Sequence, residues 1–239
     1  PGTDKLGYFA PDKGWGLLVS DGHIVTEFLQ DRYSQRDLVL LGHSMGSYIA
    51  QSYAMRCGGE LTALILSGST WPPRLLARAG RLAARILSWR HGKDGSSPLL
   101  DKIGFGAFNK QFEPGRTELD WLSRDPVEVD AYIDDPLCGG PYTTGLWIDL
   151  FSGLLEISTK NALQKIPLTL PILITGGSDD PVGGEDGMNE LSTHYEATGH
   201  TNLTTKIYVG GRHEMLNETN RDEFTNDLFR WISTALSNL

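Results

Sequence analysis

Cysteine is scarce, basic residues are in deficit, and no long apolar run interrupts the chain. The two cysteines, Cys57 and Cys138, lack C-x-x-C spacing. That argues against a disulfide scaffold or a thiolate zinc site and fits a reducing, cytoplasmic compartment. Lysine and arginine number 21 against 30 acidic residues, for a net charge of −9. A nucleic-acid partner normally needs a basic surface, so no such partner is expected. No apolar stretch approaches the roughly 18 residues of a membrane span. A signal peptide, an internal repeat and a low-complexity tract are also lacking. An initiator methionine is missing, and the sequence opens on a turn-like Pro1-Gly2-Thr3-Asp4.

What is present is 239 residues of ordinary globular mixture, long enough for one large core with an inserted subdomain. Four short apolar runs, at residues 38–41, 61–66, 170–175 and 204–209, read as buried parallel strands. Ile49, Ala50, Tyr53, Ala54 and Cys57 mark a helix face after the first, with Gly58-Gly59 as its stop. Phe224, Leu228, Trp231, Ile232, Ala235 and Leu236 mark another at the C-terminus, with Asn220 and Glu223 as a capping-box-like start. Alternating strands and helices predict an open, mostly parallel α/β sheet. That rhythm breaks between Trp71 and Pro171, where helical patterns replace strands. Leu75, Leu76, Ala79, Leu82, Ala83, Ile86 and Leu87 form one apolar face. Asp125-Pro126-Val127-Glu128 starts a second helix, and Leu146, Trp147, Leu150, Phe151, Leu154 and Leu155 mark a third. The expected organisation is a core at 1–70, a helical cap at 71–168 and a second core segment at 169–239. The cap would sit over the sheet's C-terminal edge, where open α/β sheets bind ligands.

The first strand runs into Gly42-His43-Ser44-Met45-Gly46, a G-x-S-x-G pattern. Such an elbow places a serine on a strained strand-to-helix turn, and side chains at the flanking glycines are expected to collide. The following helix N-terminus aims N–H groups at developing negative charge, which makes the Met45 N–H an oxyanion donor. A serine hydroxyl needs a base. His43 lies inside the elbow, and His23, His91, His194 and His200 follow no strand. His213 follows the last strand in Gly210-Gly211-Arg212-His213-Glu214. The third strand ends in Gly177-Ser178-Asp179-Asp180-Pro181-Val182, where either aspartate could orient the imidazole. The chain order Ser…Asp…His is that of α/β-hydrolases.

These segments resemble the monoacylglycerol lipase and bacterial lysophospholipase branch of the α/β-hydrolases, also labelled serine aminopeptidase-like. So do Phe108-Asn109-Lys110-Gln111-Phe112, the Asp120–Pro126 stretch (120–126) and Asp135-Pro136-Leu137-Cys138-Gly139. The resemblance implies an α/β-hydrolase fold with an inserted helical cap. It also implies Asp180 as the catalytic acid and hydrolysis of a small-molecule glycerol- or glycerophospho-linked acyl ester of a monoacyl lipid, with no metal and no cofactor. The family's upstream strands and His-Gly oxyanion loop have no counterpart here. His91-Gly92 lies beyond the nucleophile, so Met45 is the one identifiable donor. The expectation is a chain that forms the C-terminal part of a longer hydrolase, with its first strand at a sheet edge. Two alternatives accompany the ester reading. An aminopeptidase would use Asp130, Asp134 and Asp135 to hold a substrate ammonium, and a non-catalytic binding protein would use the same fold. Finally, Arg74, Arg78, Arg81 and Arg85 form a stripe that could bring the cap to an anionic membrane surface.

Overall fold

A computed structural model describes residues 6–34 and 36–237. The turn-like stretch at residues 1–4 lies outside the described residues. Helix α1 (Gly14–Arg32) precedes strand β1 (Val39–His43), and α2 (Met45–Cys57) leads to β2 (Ala63–Ser67). Five helices follow: α3 (Arg74–His91), α4 (Pro98–Phe105), α5 (Pro126–Asp134), α6 (Thr144–Ile157) and α7 (Lys160–Leu163). The chain then returns through β3 (Ile172–Gly177), α8 (Gly184–Glu196), β4 (Leu203–Tyr208) and α9 (Arg221–Ser237).

Among the described residues the four strands form one parallel sheet in the order β1-β2-β3-β4. The two inner strands, β2 and β3, are buried along their whole length. A strand covered on both faces cannot alternate apolar with polar residues, which is why the sequence shows continuous apolar runs there. Successive side chains still point to opposite faces. Leu64, Leu66, Ile172 and Ile174 pack with Val19, Ala50, Tyr53, Leu191 and Tyr195 from α1, α2 and α8. Ile65 and Leu173 meet Phe224 and Leu228 of α9 on the other side. Each fully buried side chain of this size is worth about 1.5–3 kcal/mol. The strand β1 lies at one edge of this sheet, as expected, and Leu41 within it is exposed.

Because the strands are parallel, the residues that follow β1, β2, β3 and β4 all emerge on one edge. The insertion between β2 and β3 contains helices and no strand among the described residues. Its α5 begins as expected, with Pro126 at N1 and the Asp125 side chain accepting the Val127 N–H at 3.0 Å. The start of α9 differs. The Asn220 side chain donates to Glu223 Oε2, while its own oxygen accepts from Arg124 Nη2 at 2.9 Å. The residue expected to cap a helix thus ties two segments together.

Helix α3 overturns an expectation. Its large apolar residues do not all turn inward. Ala77 and Ala84 are buried, with Ala83 and Leu87 packed nearby, whereas Leu75, Leu76, Leu82, Ile86 and Trp89 are exposed. The cause is the partner. Helix α6 brings Phe151 so close that a Cβ on Gly80 would lie 2.5 Å from Phe151 Cζ. Only the small side of α3 fits against that bulk, and the large residues are left outside. Arg74, expected in the stripe facing a membrane surface, instead donates to the Leu155 and Ser158 carbonyls at 3.0 and 2.9 Å.

Candidate active site

Ser44 occupies the turn between β1 and α2 with φ 52° and ψ −124°. For a non-glycine residue this conformation costs on the order of 1–3 kcal/mol, and the surroundings must enforce it. They do so through both ends of the residue. The Ser44 N–H donates to the Ser67 carbonyl at 2.9 Å, at the end of β2. The Ser44 carbonyl accepts from the Ser47 N–H at 2.9 Å and the Ser47 hydroxyl at 2.7 Å. Met45 is the first residue of α2, so its N–H has no carbonyl four residues back and remains available. The two elbow glycines differ. A Cβ on Gly42 would lie 2.4 Å from the Gly46 carbonyl oxygen and 2.8 Å from the Ala50 Cβ. A Cβ on Gly46 would meet nothing within 4 Å, so the expected collision applies to Gly42 alone.

The loops after β3 and β4 are pressed together. A Cβ on Gly177 would lie 1.9 Å from the Gly211 carbonyl oxygen, and the Asp179 N–H donates to that same oxygen at 2.9 Å. This approach brings Asp180 and His213 together, both almost fully buried. His213 Nδ1 lies 2.9 Å from each Asp180 carboxylate oxygen. Asp180 Oδ1 also accepts the Val182 N–H at 2.9 Å, which fixes the carboxylate. Asp179 points elsewhere: it is exposed, and its Oδ1 takes the Ser178 hydroxyl. The structure thus separates two neighbours that strand position alone left equivalent.

The His213 ring packs 4.7 Å from the ring of His43, the residue before Ser44, and 5.1 Å from the Trp121 ring. The three predicted site residues therefore converge at one edge of the sheet. Within this arrangement the Asp180–His213 contact is a hydrogen bond, and the His213 ring packs on His43, the residue immediately before Ser44. In unliganded sites the nucleophile–base bond is commonly long and tightens with substrate.

Several residues around this centre carried no sequence signal. His43 Nδ1 lies 3.2 Å from the Ser67 hydroxyl and its Nε2 3.2 Å from Glu214 Oε1. Burial would raise the Glu214 carboxyl, but the neighbouring His43 and His213 imidazoles hold it below the usual range. Glu218, whose side chain is fully buried, joins the His213 loop to the insertion. It accepts the Arg124 N–H and Nε at 2.9 and 2.8 Å and the Arg212 N–H at 3.1 Å. Burial alone would raise its carboxyl, and these donors together with the Thr219 N–H outweigh burial and lower it. Arg212 itself donates to the Ser123 carbonyl at 3.0 Å, and the Glu214 N–H to the Leu122 carbonyl at 2.8 Å. Pairs such as Arg124 and Glu218 lie 94 residues apart, so no local pattern could have marked them.

Two further features bear on specificity. Asp130, one of the acids considered for an ammonium site, is paired with Arg116 at 2.6 Å, and Asp135 caps the Leu137 N–H at 2.8 Å. A cavity of about 540 Å³ is lined by Trp15, Trp89, Lys93 and Asp149 among others, and none of Ser44, Asp180 and His213 lines it.

A family model described as "Serine aminopeptidase, S33" matches residues 7–220. The monoacylglycerol lipase of Mycolicibacterium smegmatis is 29% identical over 83% of this chain, which spans 62% of that relative's length. The human monoglyceride lipase is 28% identical over 98% of this chain and 71% of its own. Among solved structures, a highly thermostable carboxyl esterase from Bacillus coagulans in complex with glycerol superposes with a TM-score of 0.82. It is 28% identical and covers 91% of this chain and 71% of its own. A lipase in an open form superposes with a TM-score of 0.81 at 24% identity, over 94% of this chain and 73% of its own.

Proposed function

Because the chain belongs to the serine aminopeptidase S33 family and has an α/β-hydrolase fold, we propose that it is a serine hydrolase cleaving carboxylic esters of monoacyl lipids. The observation that carries this reading is the buried Asp180–His213 pair packed beside the strained Ser44 elbow. Ser44 Oγ attacks the ester carbonyl as His213 Nε2 takes its proton. The developing oxyanion is met by the Met45 N–H at the positive end of α2. His213 then returns the proton to the leaving alcohol. In the second half it activates water against the acyl-enzyme, while Asp180 holds the ring and stabilises its charged form. Residues 71–168 serve as the cap over this edge. Of the three acids that the aminopeptidase alternative would use, Asp130 is paired with Arg116, which weakens that patch, and the curated relatives named above are lipases of monoacylglycerols.

The cap also supplies the contact with a membrane surface. Leu75, Ala79, Leu82, Ile86 and Trp89 recur at helical spacing along the outward side of α3, with Leu75 81% and Trp89 92% exposed. Arg78, Arg81 and Arg85 border this stripe, so α3 offers an apolar wedge flanked by cations, the pattern of a helix lying in an anionic interface. No helix among the described residues is long and apolar enough to cross a membrane.

A fluorophosphonate probe followed by peptide mapping tests the nucleophile. Turnover of a 1-monoacylglycerol, a lysophospholipid and an aminoacyl amide tests the substrate class. Labelling at Ser44 and preference for the acyl esters are expected. Absence of labelling would point to a binding protein on this fold, and faster amide turnover to a peptidase.

A further inference from the structure

His43, His213 and Glu214 each offer a ligand atom beside the reactive centre, and these atoms all lie within 4.8 Å of one another. We propose that this trio binds a single zinc ion and that the bound ion switches the enzyme off by occupying its base. The site itself is read from the cluster. Its effect on catalysis rests on the assignment of His213 as that base.

The donor set is two imidazoles and a carboxylate, a combination suited to zinc. Magnesium and calcium prefer all-oxygen shells. Bonds of about 2.0–2.1 Å set ligand-to-ligand edges of about 3.3–3.5 Å in a tetrahedral site. The His43 Nε2 to Glu214 Oε1 distance is already 3.2 Å. The remaining separations need a contraction that the Glu214 side chain can supply, being a quarter exposed.

Both imidazoles are held from behind. Asp180 takes the Nδ1 side of His213 at 2.9 Å, which leaves Nε2 as the free lone pair. A carboxylate behind a metal-binding histidine fixes the tautomer and raises the ligand's basicity. The arrangement that suits general-base catalysis therefore also suits metal binding. Ser67 Oγ stands at His43 Nδ1, 3.2 Å away, and a hydroxyl there can either donate or accept. When it accepts, Nδ1 carries the proton and Nε2 is open to a cation. His43 Nε2 is in fact a buried nitrogen without a well-aligned hydrogen bond, despite the nearby carboxylate. A cation between the two would satisfy both groups. The His43 and Glu214 side chains are each 26% exposed, and His213 is buried.

The binding step is simple. Zinc takes the lone pairs of His43 Nε2 and His213 Nε2 and one Glu214 oxygen, and any proton on those nitrogens passes to solvent. With its Nε2 coordinated, His213 cannot accept the Ser44 proton. Hydrolysis stops until a chelator removes the ion, and the backbone and side-chain skeletons are unchanged throughout.

The test measures zinc binding separately from catalysis. A competition titration against a chromophoric zinc indicator at neutral pH is run on the parent protein, Ser44→Ala, Glu214→Gln, His43→Asn and Cys57→Ser. The last removes the other clustered candidate group, His23, Cys57 and Glu60. Expected are one tight site in the parent, Ser44→Ala and Cys57→Ser, and affinities at least tenfold weaker in Glu214→Gln and His43→Asn. The conservative Glu214→Gln change and a thermal melt of each variant separate loss of ligand from loss of fold. In parallel, zinc should inhibit hydrolysis of a soluble short-chain ester and block fluorophosphonate labelling of the parent, both reversed by EDTA. Each variant's inhibition is read against its own zinc-free rate. Tight zinc binding by Ser44→Ala, together with a zinc-free parent that hydrolyses nothing, would uphold the site and overturn the enzymatic reading. Unchanged zinc affinity in folded Glu214→Gln and His43→Asn would overturn the site, as would loss of binding in Cys57→Ser alone.

Discussion

Glu218→Gln is the perturbation whose cost the structure defines most sharply. The carboxylate is buried and fully occupied. One oxygen accepts the Arg124 and Arg212 N–H groups, and the other accepts Arg124 Nε, the Thr219 N–H and the Thr219 hydroxyl. A glutamine keeps the shape but turns one acceptor into an amide donor. Whichever way it sits, at least two N–H groups lose their partner and face another N–H. Each such orphan costs about 1–3 kcal/mol. Breaking a buried ion pair on one side is commonly worth about 3–5 kcal/mol, at the lower end here because the Arg124 side chain is 32% exposed and partly screened. A loss of about 3–4 kcal/mol follows, or about 6–16 °C in melting temperature for a chain of this size. The assay is urea unfolding at several pH values. The Glu218 carboxyl is lowered in the fold. Its contribution is therefore complete above the unfolded value of about 4.3 and is lost as pH falls through the folded value. The gap between parent and variant should be widest near neutrality and close in acid. A gap under about 1 kcal/mol at neutral pH, or one that does not shrink in acid, would refute the reasoning.

The remaining predictions concern the site and its edges. Ser44→Ala and His213→Ala should each cost several orders of magnitude in kcat/KM, and the double variant little more than either, because the residues act as a unit. Asp180→Asn should lower kcat by about 10⁴ through loss of the correct tautomer, whereas exposed Asp179→Asn should stay close to parent in the same assay. Gly42→Ala should unfold at lower denaturant concentration because its Cβ strikes the Gly46 carbonyl, while Gly46→Ala should fold normally; equal stabilities would remove the steric argument. Replacing Arg78, Arg81 and Arg85 with glutamine should weaken binding to anionic liposomes about a hundredfold, at about 1 kcal/mol per cation, and leave hydrolysis of a soluble ester unchanged.

What could be read in the sequence divides along a physical line. The strands announced themselves because a sheet covered on both faces demands unbroken apolar runs, and β2 and β3 are buried throughout. The convergence of Ser44, Asp180 and His213 was legible because a parallel sheet delivers all its strand ends to one edge. Choosing between Asp179 and Asp180 by sequence needed a family pattern. In three dimensions the Gly177–Gly211 approach decides which carboxylate turns inward. Glu218 and the His43–Glu214 contact stayed hidden because their partners come from remote segments.

Helix α3 is the instructive failure. Periodicity located a helix and an apolar face but carried no sign for the direction of that face. An apolar stripe and a stripe of alanine and glycine both repeat at 3.6 residues, and the facing element decides which is buried. Phe151 and Trp147 on α6 fill the space, so α3 can approach only along Ala77, Gly80 and Ala84. Leucines on the opposite side then cost the fold nothing by remaining exposed, yet they leave an apolar surface that water does not favour. The same close packing that stabilises the insertion thus creates the outward wedge that the membrane reading requires. Gly80→Leu should disturb both together, because it would force α3 away from Phe151 and rotate the stripe. If a folded Gly80→Leu protein bound liposomes as the parent does, the stripe's orientation would not depend on that contact, and the link between packing and membrane docking would fail.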